Sequence, residues 1–128
     1  MSLSFPLVIR QGCLYYVKDE KITFISEGKR TRHATRRPVP VVSRDNVNDE
    51  DSYEAVFVCP ISSGGNSSDF DVKIAAFEGG QRKKSWVRVE HLQRLLKNDL
   101  EACLSQDGIS AAALENVLAN IAEMFFPR

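Results

Sequence analysis

An arginine and a glutamate stand two residues apart in a segment with the alternation of a β-strand. Residues 85–92, SWVRVEHL, alternate apolar and polar side chains, which predicts a half-buried strand. Because strand side chains repeat with a period of two, Arg88 and Glu90 are expected on the same face. A guanidinium and a carboxylate so placed can flank one phosphate, although such a pair is more often a surface ion pair worth about 0–1 kcal/mol.

Two serines follow an apolar run elsewhere in the chain. Residues 55–61, AVFVCPI, are nearly all apolar, which predicts a central strand buried on both faces, with Pro60 limiting its pairing near the end. Ser62 and Ser63 come next, followed by Gly64 and a second glycine. Hydroxyls at a strand end can donate to a phosphate, and glycines let a ligand backbone come close. The alternative is an ordinary turn.

The charges of the chain cancel overall but are unevenly distributed. Net charge is +0, yet residues 28–37, GKRTRHATRR, carry five cations and no acid. Residues 82–84 form a second basic cluster, and residues 45–54 are acidic. Such segregation can serve a polyanion on one face and a basic partner elsewhere. For any single run, a solvated loop is the alternative.

Composition indicates one ordinary globular domain spanning residues 1–128. The hydrophobic fraction is 43% and the charged fraction 27%, and a chain of this length can bury a core without staples. No run of eighteen apolar residues is present, so no membrane span is expected. The start of the chain lacks the basic region and cleavage site of a signal peptide.

The three cysteines are not arranged for metal binding or for a disulfide framework. Cys13, Cys59 and Cys103 are odd in number and include no C-x-x-C pair, which fits a reducing cytoplasm. Cys59 lies inside an apolar run, which favours a small core residue over a nucleophile.

Short strands and a closing helix are the elements that must position these residues. Helical spacing of apolar residues over 110–126 predicts an amphipathic helix with Ser110 as N-cap, and residues 91–104 are expected to hold a shorter helix. Five to seven strands with two long polar loops fit a small antiparallel barrel with helices at its rim. Besides the two runs above, strands are predicted within residues 13–17, 22–25, 38–43 and 70–77, the first two joined as a hairpin.

Four segments in order resemble the MazF/PemK family of toxin ribonucleases, and its PemK (Kid) branch in particular. RQGCLYYV at residues 10–17 is similar to the opening strand of the family, and RRPVPVVSRD at 36–45 is similar to its Arg-Pro-Val-Leu-Val-Val-Ser strand. VCPISSGGN at 58–66 resembles Val-Pro-Val-Thr-Ser-Gly-Gly-Asn, and WVRVEHL at 86–92 resembles Val-Val-Arg-Cys-Asp-Gln. Order and approximate spacing hold from about residue 10 to 125.

The resemblance implies an SH3-like barrel, a homodimer and a cytoplasmic toxin. It also implies sequence-specific cleavage of single-stranded RNA without a metal or other cofactor, and neutralisation by a cognate antitoxin protein. Cleavage of this kind needs a base for the ribose 2′-hydroxyl, an acid for the departing 5′-oxygen, and fixed donors for the phosphorane charge.

Four residues would be catalytic if the resemblance holds. Glu90 matches the catalytic aspartate of the family and would be the base. Arg88 matches the catalytic arginine, to which the acid role is assigned, although a guanidinium is better suited to stabilising charge. Arg37 matches the arginine of the Arg-Pro pair and offers two donors to phosphate oxygens, and Ser62 aligns with a family threonine.

Five more residues would contact RNA. Ser63 and Gly64 belong to the Ser-Gly motif, and Arg36 precedes the arginine of the Arg-Pro pair. His33 stands in the loop where the PemK branch has a histidine, at a shorter spacing from the Arg-Pro pair. His91 is expected to contact RNA or to be structural rather than catalytic.

A non-catalytic binding module on the same barrel is the alternative, for instance an inhibitor of a protein target like the CcdB-type gyrase poisons, since a fold does not determine a function. The joint presence of Arg37, Ser62, Arg88 and Glu90 favours the nuclease, because a pure binding module has no need of them.

Overall fold

Seven short strands and a closing helix make up the part of the chain that the computed structural model describes, residues 7–24 and 35–127. The strands are β1 (Leu14–Lys18), β2 (Arg36–Pro40), β3 (Ala55–Val58), β4 (Ile61–Ser62), β5 (Val72–Ile74), β6 (Ser85–Val87) and β7 (Gln93–Leu96). The helices are α1 (Asp45–Asn48) and α2 (Ala111–Phe125). Single 3-10 turns cover Asp19–Lys21, Glu78–Gly80, Val89–His91 and Lys97–Asp99.

The strands form three small antiparallel sheets. Their orders are β1-β2, β3-β7 and β4-β6-β5, and an isolated bridge between Val41 and Val58 links the first two sheets. The predicted class, mainly β with a C-terminal helix, is confirmed. Within the described residues the sheets do not close into the expected barrel, because the hydrogen-bonded ladders stop at sheet edges.

The first strand pairs with β2 and not with the segment that follows it. Leu14 lies opposite Pro40 and Lys18 opposite Arg36. The predicted hairpin of residues 13–17 with 22–25 is wrong, since residues 22–24 form no strand and residue 25 lies outside the described part. The Gln93 side chain bonds both the N–H and the C=O of Thr23, at 3.0 and 2.9 Å, so this backbone needs no strand partner.

The apolar run of residues 55–61 is two strands rather than one. Val58 ends β3 and belongs to one core cluster, whereas Cys59 and Ile61 belong to the other. The chain therefore passes from one core to the other at this point. Pro60, which has no N–H to donate, separates β3 from β4. The prediction of a single strand buried on both faces is wrong, and Phe57 is 41% exposed.

The predictions for residues 70–104 are partly correct. Residues 91–104 hold no α-helix, since β7 pairs with β3 and sets Leu95 opposite Val56 in the core. The strand predicted within residues 70–77 is confirmed over Val72–Ile74.

The closing helix α2 is confirmed with its predicted cap. Ser110 Oγ accepts a hydrogen bond from the N–H of Ala113 at 3.1 Å, which satisfies one free amide at the helix start. Ala113 and Val117 are buried in the same core cluster as β5 and β6. Within residues 7–24 and 35–127, no helix has the length and apolar character needed to cross a membrane.

Glu78 ties the β5 turn to the start of α2. Its carboxylate accepts hydrogen bonds from Ala75 N at 3.0 Å and from Ser110 N at 2.9 Å. Burial raises the pKa of Glu78, but these hydrogen bonds to the charged form outweigh burial, so the pKa lies below its ordinary value.

We expect Glu78→Gln to lower the free energy of unfolding at pH 7 by about 1 kcal/mol, because an amide cannot accept both bonds. Because the pKa of Glu78 is lower in the folded protein, its carboxylate stabilises the fold at pH values above the unfolded-state pKa of about 4.3. This stabilisation is lost as the pH falls through the folded-state pKa. The difference between variant and wild type should therefore shrink at acid pH. Urea unfolding at pH 7 and pH 3 measures it. Glu115→Gln, at an exposed helix position, is the matched control, and an equal loss in both variants would contradict the role of Glu78.

Candidate functional site

A basic cleft collects several of the predicted site residues. Its volume is about 610 Å³, and Arg36, Arg37, Ser62 and Ser63 all line it. Arg37 and Arg36 come from the start of β2, and the serines come from the end of β4. Residues separated by 25 positions in the sequence thus share one concave surface.

The second basic cluster lines the same cleft. Arg82 and Lys83, from the loop before β6, are both lining residues, and no aspartate or glutamate is among the lining residues. Neither side chain makes an ion pair within the described residues. Four cations therefore line a space without lining carboxylates, and although Arg36 and Arg37 pair with Glu101 and Asp19 outside it, the excess of positive charge favours a polyanionic ligand.

Arg37 is held rigidly at the edge of this cleft. Its Nε donates to Asp19 Oδ1 at 2.7 Å, and the Asp19 side chain is almost fully buried. The guanidinium also lies over the Phe24 ring, 4.7 Å from the ring centroid. Arg36 is more exposed, stacks over the Tyr16 ring at 4.6 Å and pairs with Glu101 at 3.1 Å.

Ser62 and Arg88 both lie next to the open position at Gly64. A Cβ placed on Gly64 would lie 3.5 Å from Ser62 Oγ and 3.8 Å from Arg88 Nη2. Ser62 Oγ also accepts a hydrogen bond from Gly64 N at 3.3 Å. The hydroxyl and the guanidinium are therefore two potential donors on either side of one small open position.

Arg88 is not on an exposed strand face. Strand β6 ends at Val87, and Arg88 precedes the turn Val89–His91, with its N–H bonded to Pro60 O at 2.8 Å. Its side chain is only 5% exposed, and Nη1 donates to Asp71 Oδ2 at 2.5 Å and to Ser67 Oγ at 3.1 Å. The expectation that Arg88 and Glu90 share one face of a strand is therefore wrong.

Glu90 lies within the 3-10 turn and is exposed. The turn breaks the period of two that would have aligned it with Arg88. Its Oε1 accepts a hydrogen bond from Ser68 Oγ at 2.9 Å. Neither Glu90 nor Arg88 lines the basic cleft, but residues 67–71 contact both of them.

The two histidines have different outcomes. The His91 ring packs 5.2 Å from the Phe24 ring and is half-buried, beside the phenyl group that also supports Arg37. His33 lies outside the described residues.

Sequence reasoning missed the acids that hold the arginines. Asp71 falls within the strand predicted at residues 70–77, but β5 begins at Val72, and the Asp71 side chain is 1% exposed. Asp19 lies in a charged KDEK segment that reads as a connection. The partners of both acids lie 17 and 18 residues further along the chain, so only the tertiary structure reveals the pairs. Within residues 7–24 and 35–127, no cluster of three or more His, Cys, Asp or Glu side chains could hold a metal ion.

Cys59 is a core residue, as predicted. Its side chain is fully buried among apolar neighbours, and burial raises the pKa of the thiol to about 12. A thiol in this state is a poor nucleophile at neutral pH.

Solved structures with the same fold are MazF toxins and their complexes. The MazE–MazF complex of Deinococcus radiodurans matches with a TM-score of 0.69 and 19% identity over 95% of this chain and 99% of that one. Mycobacterium tuberculosis toxin MazF-mt6 matches with a TM-score of 0.66 and 18% identity over 88% of this chain and 95% of that one. A mycobacterial endoribonuclease in complex with its cognate antitoxin matches with a TM-score of 0.66 and 14% identity over 93% of this chain and 97% of that one. These likenesses define a MazF-like fold.

The family follows from the sequence itself. The model of the PemK-like, MazF-like toxins of type II toxin–antitoxin systems matches residues 18–125. The chain belongs to this toxin family. No curated protein sequence matches it.

We expect the native protein to react with a thiol reagent at Cys103, which is half-buried, and not at Cys59 or Cys13, which are buried. Ellman's reagent at pH 8 should titrate one fast thiol per chain, and all three after unfolding in urea. Cys103→Ser is the control and should remove the fast phase. Fast modification of Cys59 in the folded protein would instead restore it as a candidate nucleophile.

Proposed function

We propose that this toxin is a metal-independent endoribonuclease that cleaves single-stranded RNA in the cytoplasm and thereby inhibits growth. The observation that carries the proposal is the basic cleft, which Arg37 and Ser62 both line, with Arg88 next to Gly64 beside Ser62. Membership of the PemK-like, MazF-like toxins supports it, and a structural neighbour is named as an endoribonuclease.

The cleft suits an RNA backbone. Four cationic side chains without lining carboxylates attract phosphates, and Tyr16 offers an aromatic surface on which an unpaired base can stack. Contact with a splayed base requires an unpaired strand, because bases in a duplex are already stacked and paired. Single-stranded RNA is therefore the preferred substrate.

The reaction follows from the chemistry of RNA. Glu90 takes the proton of the ribose 2′-hydroxyl, and the 2′-oxygen forms a bond to phosphorus as the bond to the 5′-oxygen breaks. The products are a 2′,3′-cyclic phosphate and a 5′-hydroxyl, whose proton comes from an acid or from water. The exposed Glu90 carboxylate exchanges its hydrogen bond from Ser68 for the substrate hydroxyl.

Charge on the pentavalent phosphorane needs fixed donors. The Arg37 guanidinium, already oriented by Asp19 and Phe24, brings a positive charge close to phosphate oxygens in the cleft. Ser62 Oγ and Arg88 Nη2 supply further donors beside Gly64. Donors fixed before the reaction cost no reorganisation when charge develops.

A second part of the proposal concerns partners. Two structural neighbours are complexes with an antitoxin, and the cationic cleft offers a surface for an acidic, partly disordered segment of such a protein. We propose that a cognate antitoxin covers this cleft and excludes RNA, and that the toxin acts as a homodimer.

The purified protein is expected to cleave single-stranded RNA in the presence of EDTA. Glu90→Gln and Arg37→Ala should each lower the rate by at least about 100-fold, because they remove the base and a charge-stabilising group. Glu115→Gln and Arg94→Ala, which change the same residue types at exposed positions outside the cleft, are the controls. A wild-type protein that arrests growth but leaves varied RNA substrates intact would favour the non-catalytic binding module.

Arg82 and Lys83 are expected to bind RNA phosphates flanking the scissile one. The double variant Arg82→Gln, Lys83→Gln should weaken RNA binding and flatten the plot of log K against log salt by about 0.7 for each lost phosphate contact. Titration of a 2′-deoxy-substituted RNA at several salt concentrations measures this slope. Arg44→Gln, Arg94→Gln is the matched control, and equal slopes in both double variants would contradict the assignment.

A further inference from the structure

The guanidinium of Arg88 is held at one end and open at the other. Nη1 donates to Asp71 and Ser67, whereas Nη2 faces Gly64, the residue whose N–H bonds Ser62 Oγ. Among the described residues, Nε is buried without a hydrogen-bond partner. The protein thus engages Nη1 twice and leaves Nη2 as a further donor facing Gly64.

The Asp71 carboxylate is fixed by Ser67 as well as by Arg88. Its Oδ2 accepts from Ser67 N at 2.8 Å and from Ser67 Oγ at 3.2 Å, in addition to Arg88 Nη1. Only 1% of the Asp71 side chain is exposed, so the carboxylate is shielded from water. Three donors on one oxygen, two of them from the nearby Ser67, make a rigid support for Arg88.

We propose that Asp71 is a positioning residue, which fixes the Arg88 guanidinium so that Nη2 faces the phosphate bound beside Ser62 and Gly64. This inference rests on the proposed nuclease function and deepens it, since no substrate contact is assigned to Asp71 itself. An arginine side chain has several rotatable bonds, and ordering it costs free energy at each turnover unless the folded protein has already ordered it.

If Asp71 instead inhibited the toxin, its removal would change RNA binding and cleavage in the opposite direction. A carboxylate that competes with phosphate for Arg88 would hold the toxin in check, and its removal would strengthen RNA binding and speed cleavage. The geometry favours positioning, because Asp71 occupies Nη1 whereas the nitrogen beside Ser62 and Gly64 is Nη2.

The decisive variant is Asp71→Asn, with Asp69→Asn, an exposed residue of the same loop, as the matched control. Asp71→Asn should lower the single-turnover cleavage rate by about 100-fold, the cost of a misplaced reacting group. Its Kd for a 2′-deoxy-substituted RNA should stay within about threefold of wild type, because the cations of the basic cleft are unchanged. Tighter binding or faster cleavage by Asp71→Asn would overturn the proposal.

NMR of the Arg88 side chain gives a readout that does not depend on activity. Wild type and Asp69→Asn should show separate Nη proton resonances, the mark of slowed rotation in a held guanidinium, and Asp71→Asn should average them. Unaveraged resonances in Asp71→Asn would refute positioning even if cleavage fell. If wild type shows separate resonances but cleaves no RNA, the nuclease function fails while the anchoring of Arg88 by Asp71 stands.

A second variant covers the case in which Asp71→Asn does not fold, as circular dichroism would reveal. Ser67→Ala keeps both charges and removes the hydroxyl that contacts Asp71 and Arg88. It should fold, lose about tenfold in cleavage rate and retain its Kd for the 2′-deoxy-substituted RNA. An unchanged cleavage rate in folded Ser67→Ala would count against the proposal.

Discussion

The fold depends on two hydrophobic cores that share their strands. In β1, Leu14 points into one core cluster, while Tyr15 and Val17 belong to the other. The chain crosses between the same two cores at Val58 and Cys59. Because each core is built from both ends of the sequence, the strand ends that carry Arg37 and Ser62 are brought together by burial of apolar side chains, the dominant favourable term in folding.

Buried carboxylates then give the site its rigidity. Asp19 and Asp71 are both nearly desolvated, and each pairs with an arginine at the site. A buried ion pair contributes little net stability, yet removal of one partner leaves a costly uncompensated charge. These pairs therefore contribute the orientation of Arg37 and Arg88 rather than net stability. Burial of the four charged groups costs free energy, which apolar burial in the two cores offsets.

The closing helix was predictable from the sequence, whereas the local hairpin and the helix within residues 91–104 were wrong because β1 and β7 pair with distant strands. The helix after Ser110 was found because its cap and its apolar spacing are local signals. Residues 85–92 also carried a local signal, but Pro60 lies opposite Arg88 and has no N–H to return a ladder bond, and the turn at Glu90 follows, so the strand ends early. The environment of Asp71 depends on a contact with a residue 17 positions away, which no periodicity encodes. The motifs predicted which residues form the candidate site, and only the tertiary contacts showed how Arg37 and Arg88 are held.

Under the proposed function, position 64 has different requirements for folding and for RNA binding. Gly64 does not lie in the left-handed region that glycine alone favours, unlike Gly65 at φ +87°, and an added methyl group would make only ordinary van der Waals contacts with Ser62 and Arg88. The fold would accept alanine there, but the methyl group would fill the space between the two donors. Bacteria selected to survive expression of this toxin should therefore accumulate substitutions at this glycine that yield abundant, folded and harmless protein.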